Sequence, residues 1–205
     1  MEFRNSTALD GTRLHQMILR HTAPYPHDRL KVAVRYSRGA DFSGTCFYRE
    51  GRILLNIGPH VRYPYRLGTH VAKARSNRTH WWRETYHIVV ADAYQLVLFV
   101  YLHELYHVLV KLAGRSPRCK ESRCDRFAAR VLVDQYGCRI TDGHGRPVPR
   151  VQWDFEDLDR MVAGPRSRRP RRAPMPGAGV TTHQVPVRIR GLSEQAENRG
   201  LLFEL

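Results

Sequence analysis

Residues 93–110 read AYQLVLFVYLHELYHVLV, and a helix with this sequence would be apolar on nearly all of its surface. A helix of that kind is surrounded by the rest of its domain. Asp92 suits the N-cap, and Gly114 stands where a C′ residue ends a helix. The sequence therefore predicts a buried central helix between these two residues. A transmembrane helix is not expected, because ionisable residues interrupt the run at His103, Glu104, His107 and Lys111.

Residues 103–107 of this helix form the pattern H-E-x-x-H. Two histidines four residues apart project from one helix face, which lets both imidazoles reach a single zinc ion. Burying two imidazoles and a carboxylate is costly unless a partner compensates them, and a metal is the simplest such partner. We therefore predict that His103 and His107 are metal ligands and that Glu104 is the general base. The alternative is a helix with two surface histidines.

A second helix follows and offers a third ligand. Ser116-Pro117 predicts its start, and we expect it to run from Arg118 to Tyr136 and to stop at Gly137. One apolar stripe of this helix begins with two acidic residues, Glu121 and Asp125. We predict that Glu121 binds the metal and that Asp125 orients a ligating histidine from the second shell. Alternatively, Glu121 is a solvated carboxylate of the first turn.

The pattern H-E-x-x-H followed by Glu121 and Asp125 resembles the gluzincin metallopeptidases, of which thermolysin is the familiar member. Residues 121–132, ESRCDRFAARVL, look more like the minimal ImmA/IrrE-type gluzincins. Their second helix carries a similar glutamate, then a small residue, Asn or Asp, and Phe-Ala before a Leu pair. The resemblance implies an α+β, zincin-like domain in which an antiparallel or mixed sheet packs on the two helices. It also implies a DNA-binding regulatory protein as the substrate.

The upstream sequence predicts one helix and several strands. A helix is expected from about Thr7 to His21, and a strand from Leu30 to Tyr36. Glu50-Gly51 reads as the turn of a hairpin between residues 45–49 and 52–57, and residues 86–90 read as a further strand.

In zincins, the edge strand beside the active-site helix holds the peptide substrate by strand addition, through main-chain hydrogen bonds that do not depend on sequence. We take residues 53–57 as the candidate for that strand. This assigns substrate binding to Leu55, Asn56 and Ile57. The alternative is an ordinary interior strand.

Residues 58–84 depart from the minimal family pattern, in which a short connection leads from the strand to the metal helix. This insertion is rich in His, Arg, Tyr and Trp. We interpret it either as a lid over the cleft or as a surface addition with its aromatic side chains packed down. His80 and His87 lie in or beside it, but their spacing selects neither as an oxyanion-stabilising residue.

The expected chemistry is peptide-bond hydrolysis by a water that a Zn²⁺ ion activates, with Glu104 accepting and returning its proton. The absence of a C-x-x-C pair argues against the SprT-like families, which share H-E-x-x-H and usually have a third histidine. The next histidine here, His144, stands in a loop sequence rich in Gly and Pro.

Composition fits one compact domain with appendages, because the chain has 205 residues and 42% apolar content. The N-terminal residues show no signal-peptide pattern, and none of the four cysteines is spaced for a zinc ribbon. We therefore expect reduced thiols and a cytoplasmic protein without a membrane partner.

The formal net charge is +15, and the densest basic cluster is residues 166–172. We expect a metallopeptidase domain at 1–163, a Pro/Arg-rich linker at 164–184 and a C-terminal tail at 185–205. The tail is expected either to add a strand and a short helix or to dock on a partner through Leu201-Leu202-Phe203. A basic segment attracts nucleic acid without sequence preference, so residues 166–172 are the candidate contact. The rival hypothesis is a non-catalytic, zinc-stabilised module that binds nucleic acid or a protein through this tail.

Overall fold

The computed structural model describes residues 1–118, 120–163 and the backbone of 187–190. The protein is α+β, as the sequence predicts. Four α-helices are described: α1 (Gly11–Thr22), α2 (Ala93–Leu112), α3 (Glu121–Tyr136) and α4 (Leu158–Val162). The strands are β1 (Glu2–Asn5), β2 (Lys31–Tyr36), β3 (Phe42–Phe47), β4 (Arg52–Ile57), β5 (Tyr65–Thr69), β6 (Arg75–Ser76), β7 (Trp81–Trp82), β8 (Tyr86–Val90), β9 (Ile140–Thr141) and β10 (Val187–Arg190).

The main sheet is mixed and has the strand order β1-β2-β4-β3-β10. The β1-β2 and β2-β4 pairs are parallel, whereas β3 is antiparallel to both of its neighbours, β4 and β10. The predicted hairpin around Glu50-Gly51 joins β3 to β4, and Gly51 takes a positive φ of 59° in its turn. The predicted strand at Leu30–Tyr36 is β2, and the tail strand expected beyond residue 185 is β10.

Helix α2 is the centre of the domain and packs against β3, β4, β8 and the other three helices. Its boundaries are those that the sequence predicts. Asp92 accepts a hydrogen bond from the backbone N–H of Gln95 at 2.8 Å, and Gly114 takes a φ of +71° just beyond the C-cap. Within the described part of the chain, α2 is the one helix long and apolar enough to cross a membrane, but most of it is buried inside the protein.

Helices α1 and α3 both begin later than the sequence predicts. Helix α1 starts at Gly11 because Asp10 caps it, accepting from the backbone N–H groups of Thr12 and Arg13. The prediction that Ser116-Pro117 starts the second helix is wrong, since α3 begins at Glu121. The carbonyl of Pro117 instead faces His107, so this stretch contacts α2. Helix α3 ends as predicted at Gly137, whose φ is +68°.

Strand β4 is an interior strand, so the prediction that residues 53–57 form the substrate-binding edge is wrong. Its main chain is hydrogen-bonded to β2 on one side and to β3 on the other, which leaves no free edge for strand addition. Leu55 and Ile57 are buried in the core, and Asn56 bonds to Ser43 and Arg35. The strand between β4 and the outer edge is β3.

The insertion at 58–84 contributes β5, β6 and β7. β5 pairs with β8, which pairs in turn with β9 to form a three-stranded sheet, and β6 pairs with β7. The sequence predicted β8 but not β5. Trp81 and Trp82 are 65% and 45% exposed, so these two side chains are not packed down. The role of the insertion as a lid stays a prediction.

The segment after β9 forms a 3₁₀ turn at Arg150–Gln152 and then α4. Arginines of α3 hold the intervening acidic residues, with Arg126 at 2.7 Å from Glu156 and Arg130 at 2.7 Å from Asp154. The predicted linker at 164–184 and the basic cluster at 166–172 lie outside the described residues.

Candidate metal centre

The two histidines of α2 and the first residue of α3 bring three donor groups to one point. His103 Nε2 lies 3.2 Å from His107 Nε2 and 3.1 Å from Glu121 Oε2. His107 Nε2 lies 3.5 Å from Glu121 Oε1. Donors bound to a tetrahedral zinc ion at about 2.0–2.1 Å lie about 3.3–3.4 Å apart. The observed separations therefore match those around one small ion.

The opposite nitrogen of each imidazole is fixed by an acceptor. His107 Nδ1 donates to the carbonyl of Pro117 at 3.1 Å, and since a carbonyl only accepts, this nitrogen carries the proton. His103 Nδ1 lies 2.6 Å from Asp125 Oδ1 and donates to that carboxylate. Both rings therefore present Nε2 to the common point. Partners of this kind orient metal-binding imidazoles. Asp125, the predicted orienting residue, is in direct contact with His103.

A cation between the three groups would stabilise this arrangement. In neutral rings whose Nδ1 atoms carry the proton, each Nε2 holds a lone pair, and these lone pairs face each other and the carboxylate of Glu121. Converging acceptors repel unless positive charge lies among them. A proton on one nitrogen satisfies some of the contacts, whereas a metal ion accepts lone pairs from all three groups. The donor set therefore fits a metal ion.

The pKa shifts of these groups have the same electrostatic origin. Burial acts to lower the pKa of His103, but its bonds to Asp125 and Glu121 outweigh burial and raise that pKa to about 10. Burial acts to raise the pKa of Glu121, but hydrogen bonds to His103 and His107 bring it down to about 2. The pKa of Asp125 is likewise lowered, since its bonds to His103 and His70 outweigh burial. The centre is thus built to hold positive charge between carboxylates.

Cys124, for which the sequence predicts only a reduced thiol, lies in the same centre. It follows Glu121 by three residues on α3, and its Sγ and one ring nitrogen of each histidine lie within 4.8 Å of one another. Buried His103, His107 and Cys124 could therefore hold a metal ion. Burial raises the pKa of this thiol well above its usual range, and the nearby carboxylates Glu121, Asp125 and Glu104 add to that effect. Without a metal, the thiol is protonated.

Glu104 is buried beside the two histidines. Neither carboxylate oxygen has a hydrogen-bond partner among the described residues, which is unusual for a buried charged group. Burial raises its pKa to about 8, with the positive charge of His103 acting in the opposite direction. A buried carboxylate that no other side chain satisfies is suited to accept a proton from a molecule that enters the site.

Gly44 of β3 makes room for this carboxylate. A Cβ built at position 44 would collide with Glu104 Oε1 and would lie 2.7 Å from its Cγ and 2.9 Å from its Cδ. The main chain of β3 therefore passes directly over Glu104, and a side chain at this position is excluded. This contact places β3 directly against the candidate base.

We expect Gly44→Ala to lower the free energy of unfolding by about 1–3 kcal/mol, the usual cost of overpacking a core. The methyl group meets Cγ and Cδ of the Glu104 side chain, which is fully buried. Urea unfolding measures the effect. Gly39→Ala is the matched control, because nothing lies within 4 Å of a Cβ built there. Equal stability of the two variants would contradict the close packing.

The insertion also reaches the centre, through a residue that the sequence did not single out. His70, which follows β5, donates its backbone N–H to Asp125 Oδ2 at 2.6 Å, and its Nδ1 lies 3.2 Å from the same oxygen. Asp125 thus joins His70 to His103. No spacing in the sequence relates position 70 to position 125, so only the fold reveals this link.

Comparisons with protein-family models, with curated proteins and with solved structures found no match to this chain. The functional reading of the centre therefore depends on its residues and their geometry.

Proposed function

We propose that this protein is a zinc-dependent metallopeptidase whose metal ligands are His103, His107 and Glu121. The main support for this proposal is one geometric observation. Three acceptor groups converge at distances of 3.1–3.5 Å, and the buried, unpartnered carboxylate of Glu104 stands beside them. Two histidines and a glutamate leave a fourth position open, as in catalytic zinc sites. Mixed nitrogen and oxygen donors at tetrahedral separations favour zinc over the oxygen-preferring divalent ions.

The bound zinc would polarise the peptide carbonyl and activate a water molecule. Glu104 would accept the proton of that water and deliver it to the amine that leaves. A carboxylate that has no hydrogen-bond partner among the described residues is available for both steps. Asp125 and the carbonyl of Pro117 would hold the two imidazoles in the ligating tautomer.

The finer assignments belong to the same proposal. Packing of a mixed sheet against α2, with the third ligand on α3, supports a zincin-like fold of the minimal ImmA/IrrE kind. Strand β3 takes the place of β4 as the strand that would hold the peptide, since it passes over Glu104. A regulatory protein as substrate, and a cytoplasmic location, are proposed on the sequence resemblance and composition alone.

A second candidate function is a non-catalytic protein with a structural zinc ion. Cys124 favours it, because a thiolate added to the two histidines and Glu121 would complete four protein ligands and leave no open position. In that case the function would lie in another surface, such as the basic segment 166–172.

The proposal predicts about one zinc ion per purified chain and cleavage of fluorescein-labelled casein that a chelator abolishes and added zinc restores. Elemental analysis and the fluorescence assay measure the two quantities. A chain purified without zinc, and unable to take it up, would contradict both candidate functions. Stoichiometric zinc without cleavage would favour the structural role.

A further inference from the structure

The outer edge of β3 is covered by a strand from the end of the chain. Strand β10 pairs with β3 in antiparallel register, with Val187 opposite Cys46, Ile189 opposite Gly44 and Arg190 opposite Ser43. We propose that β10 occupies the peptide-binding edge of this protein, so that residues 187–190 compete with the substrate. This inference rests on the proposed peptidase function and concerns how access to that site is controlled.

The position of β10 follows from the packing of β3 over the candidate base. At Gly44 the main chain of β3 lies against Glu104, and the residue paired with Gly44 across the ladder is Ile189. Adjacent strands lie about 4.8 Å apart, so β10 runs one strand spacing away from the strand that covers the carboxylate. An extended peptide held against β3 would need the same backbone groups that β10 uses.

The other strands of the main sheet leave no equivalent edge beside the centre. β4 is paired on both sides, and the far edge of the sheet is formed by β1, which is separated from β3 by β2 and β4. Strand addition is largely independent of sequence, because main-chain N–H and C=O groups make the bonds. The same property that would let β3 accept a substrate therefore lets it accept a segment of its own chain.

Competition within one chain is strong even when the pairing is short. A tethered segment acts at an effective concentration that reaches the mM range for short flexible linkers, without any added contact. Four paired residues give a modest ladder, so a tightly bound partner or a long substrate can displace it. We therefore infer a self-occupied resting state that opens when β10 leaves β3.

The test uses the full-length, zinc-loaded chain with the double substitution Arg188→Pro and Ile189→Pro. Successive backbone N–H groups of a strand point to opposite sides, so one of any two consecutive residues donates its N–H to the neighbouring strand. Two consecutive prolines therefore remove at least one hydrogen bond between β10 and β3. The matched control is Thr181→Pro with Thr182→Pro, which adds the same number of prolines outside both β10 and the basic segment 166–172. The assays are cleavage of fluorescein-labelled casein and hydrogen exchange of the β3 amides.

We expect the strand variant to cleave casein on the order of tenfold faster than wild type and the control variant to match wild type. Amides of β3 should lose protection only in the strand variant. A synthetic peptide of residues 184–192 should slow the strand variant again. If the β3 amides of the strand variant lose protection but casein is not cleaved faster, β10 does not compete with the substrate. If the β3 amides keep their wild-type protection, β10 does not pair with β3. Zinc-loaded proteins that all fail to cleave would instead overturn the peptidase function, and this inference with it.

Discussion

Glu104→Gln is expected to abolish hydrolysis while leaving the zinc content unchanged. Glutamine has the size of glutamate, so the packing beneath Gly44 is kept, but an amide cannot accept the proton of a water molecule. A general base contributes about 10²–10⁴-fold to a rate, so casein cleavage should fall at least about 100-fold. Glu104 is not among the predicted zinc ligands, and the stoichiometry measured by elemental analysis should remain that of wild type.

The same variant should be at least as stable as the wild-type chain. Glu104 is buried and has no hydrogen-bond partner in the described part of the chain, and a neutral side chain carries no cost of burying a charge there. Urea unfolding serves as the control that lost activity is not lost folding. A well-folded, zinc-bound Glu104→Gln protein with wild-type cleavage would exclude Glu104 as the base.

Glu121→Ala should weaken zinc binding by more than about 100-fold, the upper range for removing a residue that only orients a ligand. Glu121 lies 3.1 Å from His103 Nε2 and 3.5 Å from His107 Nε2, so its loss removes one corner of the donor triangle. Competition with a coloured zinc chelator measures the affinity. Because the Glu121 side chain is 37% exposed, truncation should cost little folding stability.

Cys124→Ala distinguishes the two ligand sets that the centre offers. If the open, catalytic site is correct, this variant keeps its zinc affinity and its activity. If Cys124 is the third or fourth ligand, zinc binding drops and Glu121→Ala has the smaller effect. Cys138→Ala is the matched control, since Cys138 is another buried free cysteine and lies outside the centre. A thiolate ligand would also give a charge-transfer absorption in the cobalt-substituted protein that Cys124→Ala removes.

Local signals in the sequence predicted most of the elements around the centre. The N-cap of α2, its glycine stop, the hairpin at Gly51 and the end of α3 are each set by a few neighbouring residues. The start of α3 was misplaced because Pro117, a good first residue for a helix, is used instead to present its carbonyl to His107. Tertiary contact overrode the local preference there.

The strand order of the main sheet could not be predicted from the sequence, for a different reason. β3 and β4 have similar apolar content, and only the pairing of β2 with β4 decides which of the two lies nearer the edge. That pairing is between segments distant in the chain, so no local pattern encodes it. The same holds for β5, whose partner β8 follows a long excursion, and for His70, which meets Asp125 only in the folded chain.

Local sequence patterns are enough to predict the helix pair, the spacing of His103, Glu104 and His107, and the placement of Glu121 and Asp125 on one face of the next helix. Those features depend on the fixed geometry of an α-helix, in which residues three and four apart share a face. Three features are visible only in the folded chain. The donor atoms of His103, His107 and Glu121 lie within 3.5 Å of their neighbours, and Cys124 lies beside the two histidines. Strand β3 passes over Glu104 and pairs with β10. These depend on how separate elements pack, which no periodicity along the chain records.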